Sequence, residues 1–262
     1  MGSAPSPAVL ICQAMWFRGW GILASIVAAS SLAWADGPVT HGSSHVSKPN
    51  VPSGYFYSVR YLHTPVPGRH APLDISGRPK LVLRSVNLNA SEAFDAAADT
   101  GAFAMSDFPR VSHILREAST GHEIAIDPRL LDILYRIQRH FNAQEIRVIS
   151  SYRTPVEGNG QGNHGRGRAV DFVVPGADDA DVARFARGLG FVGVGLYPVG
   201  SFVHVDVREQ SYFWIDRSGP GHTSRERGVF PEVAAASDAD ARARGELPPS
   251  FAPGDIGLPD EE

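Results

Sequence analysis

The amino-acid sequence predicts an α+β domain in which a small, mostly antiparallel sheet carries helices packed on one face. Two segments have the apolar periodicity of amphipathic helices, residues 128–141 and 177–190. Short apolar or alternating segments, typical of strands, lie before, between and after them; these are residues 80–89, 145–150, 168–174, 191–198 and 201–207. Short strands interspersed with separate helices predict the α+β class.

The helix at residues 128–141 has the clearest signals, because Asp127 can cap its first turn and Pro128 suits its first position. The helix at 177–190 begins with acidic residues, which favourably oppose the helix dipole. The remaining assignments rest on composition and local pattern alone. They predict a strand at residues 55–63 and helical segments at residues 91–100 and 108–120.

The first 35 residues are typical of a secretory signal peptide. They contain no acidic residue and one base, Arg18, followed by an apolar run from Gly19 to Ala35 that ends in an Ala-Trp-Ala triplet. We expect cleavage before Asp36 and export to the periplasm or cell envelope. A retained membrane anchor is the alternative, and Met15 is an alternative start of the chain.

The rest of the chain is expected to form one domain with two appendages. Residues 36–53 predict a flexible polar linker, residues 54–230 the folded domain, and residues 231–262 an acidic, proline-rich, disordered tail. The single cysteine, Cys12, lies in the leader, so disulfides, thiolate metal sites and cysteine nucleophiles are excluded from the domain. No basic cluster with interleaved aromatic residues indicates nucleic-acid binding, and no second apolar run indicates membrane insertion after leader removal.

The stretch NHGRGRAVDF at residues 163–172 places His164 seven positions before Asp171, among glycines that let the backbone approach an ion or a substrate closely. In the strand predicted at 201–207, alternation places His204 and Asp206 on one face and the valines on the other. Two imidazoles and one carboxylate suit Zn²⁺ and leave a fourth position open. The pattern alone indicates a possible metal site.

The run SSYRTPVEGNGQGNHGRGRAVDF, followed by GVGLYPVGSFVHVDV, resembles the M15-type zinc D-Ala-D-Ala peptidases, in particular their YcbK-like murein endopeptidase branch. The resemblance covers roughly residues 80–215. It implies His164, Asp171 and His204 as zinc ligands, and Arg153 as a group that binds a substrate carbonyl or carboxylate or stabilises an oxyanion. A structural ion pair is the alternative for Arg153.

The resemblance also implies an activity, hydrolysis of a peptide bond in peptidoglycan stem peptides or crosslinks, of endopeptidase or D,D-carboxypeptidase type. The zinc ion would polarise the carbonyl and activate a water molecule, and a carboxylate would accept the proton. Ser201 stands where some members have a catalytic acid, so Asp206 is the candidate base, with orientation of His204 or metal ligation as its other possible roles. The competing hypothesis is a zinc-containing module of the same fold that binds the cell wall without cleaving it.

Overall fold

The computed structural model describes residues 55–155, 162–219, 222 and 224–251. The leader predicted at 1–35 and the linker predicted at 36–53 lie outside these ranges, as does the end of the predicted tail. Among the helices of the described ranges, none combines the length and the apolar character needed to cross a membrane.

Five α-helices occur in this part of the chain: α1 (Tyr55–His63), α2 (Phe108–Ile114), α3 (Pro128–His140), α4 (Asp179–Arg187) and α5 (Pro231–Ala243). The strands are β1 (Leu81–Ser85), β2 (Ala90–Phe94), β3 (Ala96–Ala98), β4 (Gly101–Phe103), β5 (Ile146–Ser150), β6 (Ala169–Val173), β7 (Val192–Tyr197), β8 (Phe202–Val207), β9 (Tyr212–Asp216) and β10 (Arg225–Arg227). Single turns of 3-10 helix lie at Met105–Asp107 and His164–Arg166.

Eight strands form one sheet in the order β10-β9-β7-β8-β6-β5-β1-β2, and β3 and β4 form a separate two-stranded hairpin. Within the large sheet, β1 pairs with β5 and β7 pairs with β9 in parallel, whereas the other neighbouring strands are antiparallel. The predicted α+β class with a mostly antiparallel sheet is confirmed.

The main core lies on one face of this sheet, where α3 and α4 pack against the central strands. Val170 and Phe172 of β6 and Val203 and Val205 of β8 point into this core and are fully buried. The exception to the predicted one-sided packing is α1, which lies on the opposite face. Its Leu62 contacts a smaller apolar cluster with Val173 and Phe202.

The strand predicted at residues 55–63 is wrong, because this segment forms α1. Carbonyl groups at its end and one residue beyond it are bound from a distant strand: Nη1 of Arg147 donates to the carbonyl oxygens of Tyr61, Leu62 and Thr64 at 3.0, 2.8 and 2.9 Å. This interaction satisfies carbonyls that a helix end leaves without an intrahelical partner. A contact across more than eighty residues is invisible to a local pattern.

The helix predicted at residues 91–100 is also wrong, because the segment contributes to β2 and forms β3. β2 pairs antiparallel with the buried strand β1, with Glu92 opposite Leu83. Tertiary pairing at the edge of the sheet therefore overrides the helical preference of an alanine-rich segment. The helix predicted at 108–120 is present in its first half, as α2.

The disorder predicted after Phe230 is wrong for residues 231–243, which form α5. The buried carboxylate of Asp238 accepts hydrogen bonds from the backbone N–H groups of Phe191 and Ser211 at 2.7 and 2.9 Å. These bonds tie α5 to the residues that directly precede β7 and β9. The alanine-rich composition of this segment, close to an acidic and proline-rich end, gives no local indication that the helix packs on the domain.

Candidate metal and active site

The candidate site lies on the sheet face opposite the main core, on the central strands β6 and β8. Asp171 is directly opposite His204 in the antiparallel register, so their side chains leave the same face side by side. The valines of β8 point to the other face and belong to the main core. The alternation predicted for residues 201–207 is confirmed.

His164 reaches this face from the single 3-10 turn that precedes β6. The turn ends at Gly167, whose backbone is left-handed with a φ of +66°, and a Cβ there would lie 2.4 Å from the carbonyl oxygen of Ala125. Glycine at this position therefore serves the turn and its close packing on a neighbouring loop. The sequence analysis predicted that these glycines let the backbone approach an ion or a substrate. At Gly167 the group that is approached is instead the backbone of Ala125.

Hydrogen bonds on the outer nitrogens fix which nitrogen of each imidazole faces the centre of the site. Nδ1 of His164 donates to the carbonyl oxygen of Ser151 at 2.6 Å, which leaves Nε2 facing inward. Nε2 of His204 donates to Oδ2 of Asp206 at 2.9 Å, which leaves Nδ1 facing inward. Such outer partners are typical of metal-binding histidines.

The inward atoms converge. One ligand atom each from His164, Asp171 and His204 can be chosen so that all lie within 4.8 Å of one another. Nδ1 of His204 is 2.9 Å from Oδ1 of Asp171 and 3.2 Å from Nε2 of His164. Two imidazole nitrogens and a carboxylate oxygen, all buried and with their tautomers set, form a donor set that fits Zn²⁺ with one position open.

The guanidinium of Arg153 lies against the same atoms. Its Nη2 donates to Oδ2 of Asp171 at 2.6 Å and to Nε2 of His164 at 2.7 Å. The structure thus brings Arg153 together with two of the three predicted ligands. The carboxylate of Asp171 and the acceptor nitrogen of His164 together favour a positive charge at this position.

The buried carboxylates make the centre of the site strongly attractive to positive charge. Burial alone would raise the pKa of Asp171, but the neighbouring His164 and Arg153 and the hydrogen bond with His204 hold it well below its ordinary value. Burial would likewise lower the pKa of His204, but hydrogen bonds to Asp171 and Asp206 raise it to about 9. The carboxylates on both sides of His204 therefore favour positive charge at this ring.

Asp206 lies on the far side of the His204 ring from the inward-facing atoms. Its carboxylate is fully buried and receives two hydrogen bonds from Arg208, at 2.6 Å from Nε and 3.0 Å from Nη2, besides the one from His204. Burial would raise the pKa of Asp206, but the charge of Arg208 and the bond from His204 lower it to about 2. The structure does not bring this carboxylate to the point where the ligand atoms converge.

Strand β7 provides support that the sequence analysis missed. Gly193 lies opposite Asp206 in the register, and a Cβ on it would be 2.4 and 2.5 Å from the two carboxylate oxygens. Gly195 lies opposite His204, and a Cβ there would be 2.5 Å from the ring of Trp214. The signal was present in the sequence as glycines at alternate positions of the VGVGLY strand, that is, on one face.

The position three residues before His204 lies outside the cluster. Ser201 belongs to the turn between β7 and β8, has a left-handed backbone with a φ of +52°, and donates from its backbone N–H to the carbonyl oxygen of Tyr197 at 2.6 Å. A side chain here is directed by the turn rather than by the strand face.

A family model described as Peptidase_M15_2, peptidoglycan L,D-endopeptidase MepK, matches residues 77–211. Peptidoglycan L,D-endopeptidase MepK of Escherichia coli K12 is 28% identical over 142 residues, which cover 49% of this chain and 77% of the relative. A probable MepK of Haemophilus influenzae is 28% identical over 138 residues, covering 48% of this chain and 74% of the relative. No solved structure matches the chain. The matched range contains the whole cluster, from Arg153 to Arg208.

Proposed function

The chain belongs to the M15-type family of murein endopeptidases, and on that premise we propose that it is a zinc-dependent L,D-endopeptidase of peptidoglycan. The observation that carries the proposal is the convergence of His164, Asp171 and His204 inside the matched range. The relatives are named as endopeptidases, so the D,D-carboxypeptidase activity first considered has no support among them.

In this proposal His164, Asp171 and His204 hold the metal ion. When bound, zinc supplies Lewis-acid polarisation of the scissile carbonyl and lowers the pKa of a water molecule. The protein contributes rigidity: Ser151 and Asp206 orient the two imidazoles through their outer nitrogens. Fixed ligand orientation reduces the reorganisation needed during the reaction.

Arg153 is proposed as the group that binds an anionic or carbonyl oxygen of the substrate. Its guanidinium already reaches the ligand atoms, so it can also reach a substrate oxygen presented there. A side chain about 14% exposed combines access with a largely dehydrated setting, in which a charge-assisted hydrogen bond is strong. A purely structural ion pair with Asp171 is the competing role.

Asp206 is proposed as a positioning residue rather than the proton acceptor. Both of its oxygens are bound by His204 and Arg208, and it contacts the outer nitrogen of His204. Such a carboxylate fixes the tautomer of a metal-binding histidine and increases its basicity. This role was one of the alternatives that strand alternation left open.

Export is part of the same proposal, because peptidoglycan lies outside the cytoplasmic membrane. The expected leader at residues 1–35 would direct the chain there, with cleavage before Asp36. Sequencing the amino terminus of the protein recovered from the cell envelope tests this point. An intact leader in the membrane fraction would replace the signal peptide with an anchor.

The test of activity is digestion of purified sacculi by the zinc-loaded protein, with the released muropeptides identified by mass. We expect cleavage at L,D bonds of crosslinks, loss of products with EDTA and recovery with zinc. The substitution His164→Ala should abolish both zinc binding and release, whereas His113→Ala, at a largely exposed histidine of α2, should change neither. A protein that sediments with sacculi and releases nothing at any metal concentration would be a binding module.

A further inference from the structure

Tyr197 lies on the site face, two residues along β7 from Gly195, which is opposite His204. Gly193, Gly195 and Tyr197 alternate on that face, and Tyr197 is directly opposite Phe202, two residues before His204. Gly195 separates His204 on β8 from Trp214 on β9. Because Gly195 has no side chain, the ring of Trp214 crosses β7 and comes to 5.0 Å from the ring of His204.

Two contacts hold the phenol of Tyr197 in one orientation. Its ring stacks on Phe202, with centroids 4.3 Å apart and planes 14° from parallel. Nε1 of Trp214 donates a hydrogen bond to its hydroxyl oxygen at 3.1 Å. The apolar cluster that contains Phe202 and Leu62 packs beside it and shields part of the ring from water.

The hydroxyl hydrogen of Tyr197 is available for a further bond. Its oxygen uses an acceptor position for Trp214, and among the described residues no acceptor takes the hydroxyl hydrogen. Burial, followed by the charge of Asp171, raises the pKa of Tyr197 to about 12, so the group stays protonated at neutral pH. Its hydrogen-bond partner Trp214 has its ring 5.0 Å from the ring of His204, which brings the hydroxyl to the edge of the ligand cluster.

We propose that Tyr197 is a substrate-contacting residue whose hydroxyl donates a hydrogen bond to the oxygen that gains negative charge during peptide-bond hydrolysis. The inference deepens the proposed function and rests on it. Trp214 has a positioning role, since its indole N–H fixes the phenol oxygen. A neutral donor held in advance stabilises developing charge without needing to reorganise.

The experiment compares Tyr197→Phe with Tyr135→Phe in the zinc-loaded protein. Phenylalanine at 197 keeps the ring stacked on Phe202 and removes only the hydroxyl, whereas Tyr135 is buried in the main core on the other face. For Tyr197→Phe we expect kcat for crosslink cleavage to fall about 10²-fold, as when one oxyanion donor is removed. KM, zinc stoichiometry and Tm should be unchanged, and Tyr135→Phe should leave kcat unchanged.

A second measurement separates this inference from the proposed function. A phosphinate dipeptide analogue of the L,D bond mimics the tetrahedral oxyanion, and calorimetry should show about 10²-fold weaker binding to Tyr197→Phe than to wild type. If wild type binds the analogue but cleaves no sacculi, the proposed function fails while the affinity ratio still decides the role of Tyr197. Equal kcat and equal affinity in the two proteins would overturn the inference, and a wild type that neither cleaves nor binds would overturn both.

Discussion

The two sides of the His204 ring are built in opposite ways. On the ligand side, Nδ1 faces Asp171 and His164, where lone pairs of several groups converge and Arg153 supplies a cation. On the support side, Nε2 faces Asp206, whose charge Arg208 already balances through two hydrogen bonds. The imidazole of His204 therefore lies between two different environments. On the ligand side acceptor atoms are still available, and on the support side the charges of Asp206 and Arg208 are paired.

This difference is the basis for proposing that Asp171 acts on a metal ion or substrate and that Asp206 acts through His204. Asp171 is buried yet slightly accessible, at 7% exposure, whereas Asp206 is completely buried. A paired carboxylate at zero exposure contributes orientation and basicity to the imidazole. Strand alternation alone places both carboxylates on the same face, but their burial and partners separate the two roles.

The substitution with the largest expected effect on this comparison is Asp206→Asn. The asparagine oxygen can still accept from Nε2 of His204, but it lacks the charge, so zinc affinity should fall about 10- to 100-fold. Arg208 loses its buried partner, so the free energy of unfolding should fall by about 3 kcal/mol. At saturating zinc, kcat should stay within about tenfold of wild type, because the proton acceptor is not removed.

Competition with a zinc chelator measures the affinity, and chemical denaturation measures the stability. Asp95→Asn is the control, because Asp95 is a carboxylate in an exposed ion pair with Lys80. A variant that keeps wild-type zinc affinity but loses about 10²- to 10⁴-fold in kcat would restore Asp206 as the general base. That result would make the two sides of His204 functionally alike.

A smaller effect is expected from Gly193→Ala, which tests the support side without changing any charge. The new Cβ would meet the carboxylate of Asp206 and Nε of Arg208 at 2.4 to 2.5 Å, so this ion pair must shift. Overpacking of this kind costs about 1–3 kcal/mol of stability. We expect zinc affinity to fall in the same direction as for Asp206→Asn, but less.

Gly188→Ala provides the matched control. This glycine follows α4, has an ordinary right-handed backbone, and a Cβ would meet its nearest neighbour, the carbonyl oxygen of Phe185, at 3.4 Å. Thermal unfolding and zinc titration of the two variants should differ clearly. If the two variants bind zinc with equal affinity, then displacing the Asp206–Arg208 ion pair has no effect on the ligand side, and this pair does not position His204.

Local sequence patterns were sufficient for the parts of the site that depend on one strand. Alternation along β8 predicted that His204 shares a face with Asp206. The pattern around NHGRGRAVDF indicated a possible metal site, and the family resemblance implied that His164 and Asp171 join His204 in it. Both expectations concern residues that are close in sequence or that lie on strands with clear polarity. Their role as ligands stays a prediction.

Features that depend on register between distant segments were not predictable in this way. The glycines of β7 acquire meaning only when Gly193 is known to lie opposite Asp206, and the orientation of Asp206 depends on Arg208 beyond the end of the strand. The same limit explains the error at α1, whose carbonyls are bound by Arg147 of β5. Chain topology sets these pairings, and short windows of sequence do not contain it.

The smallest expected effect concerns α1, which borders the site face and is tied to α4 by an ion pair. Nε2 of His63 lies 3.1 Å from the carboxylate of Asp179, in the first turn of α4. Burial would lower the pKa of His63, but the hydrogen bond to Asp179 and its charge raise it above the ordinary value. The pair should therefore contribute stability that is fully present below about pH 6.5 and is lost as the pH rises through the higher folded-state pKa.

His63→Gln should lower the free energy of unfolding by about 0.5 kcal/mol at pH 5.5, typical of a partly exposed ion pair, and by less at pH 9. Urea unfolding at both pH values measures this, with His113→Gln, in a more exposed pair with Glu123, as the control. A His63→Gln deficit that grows with pH would contradict the assigned sign and would mean that His63 supports α1 as a neutral hydrogen-bonding group.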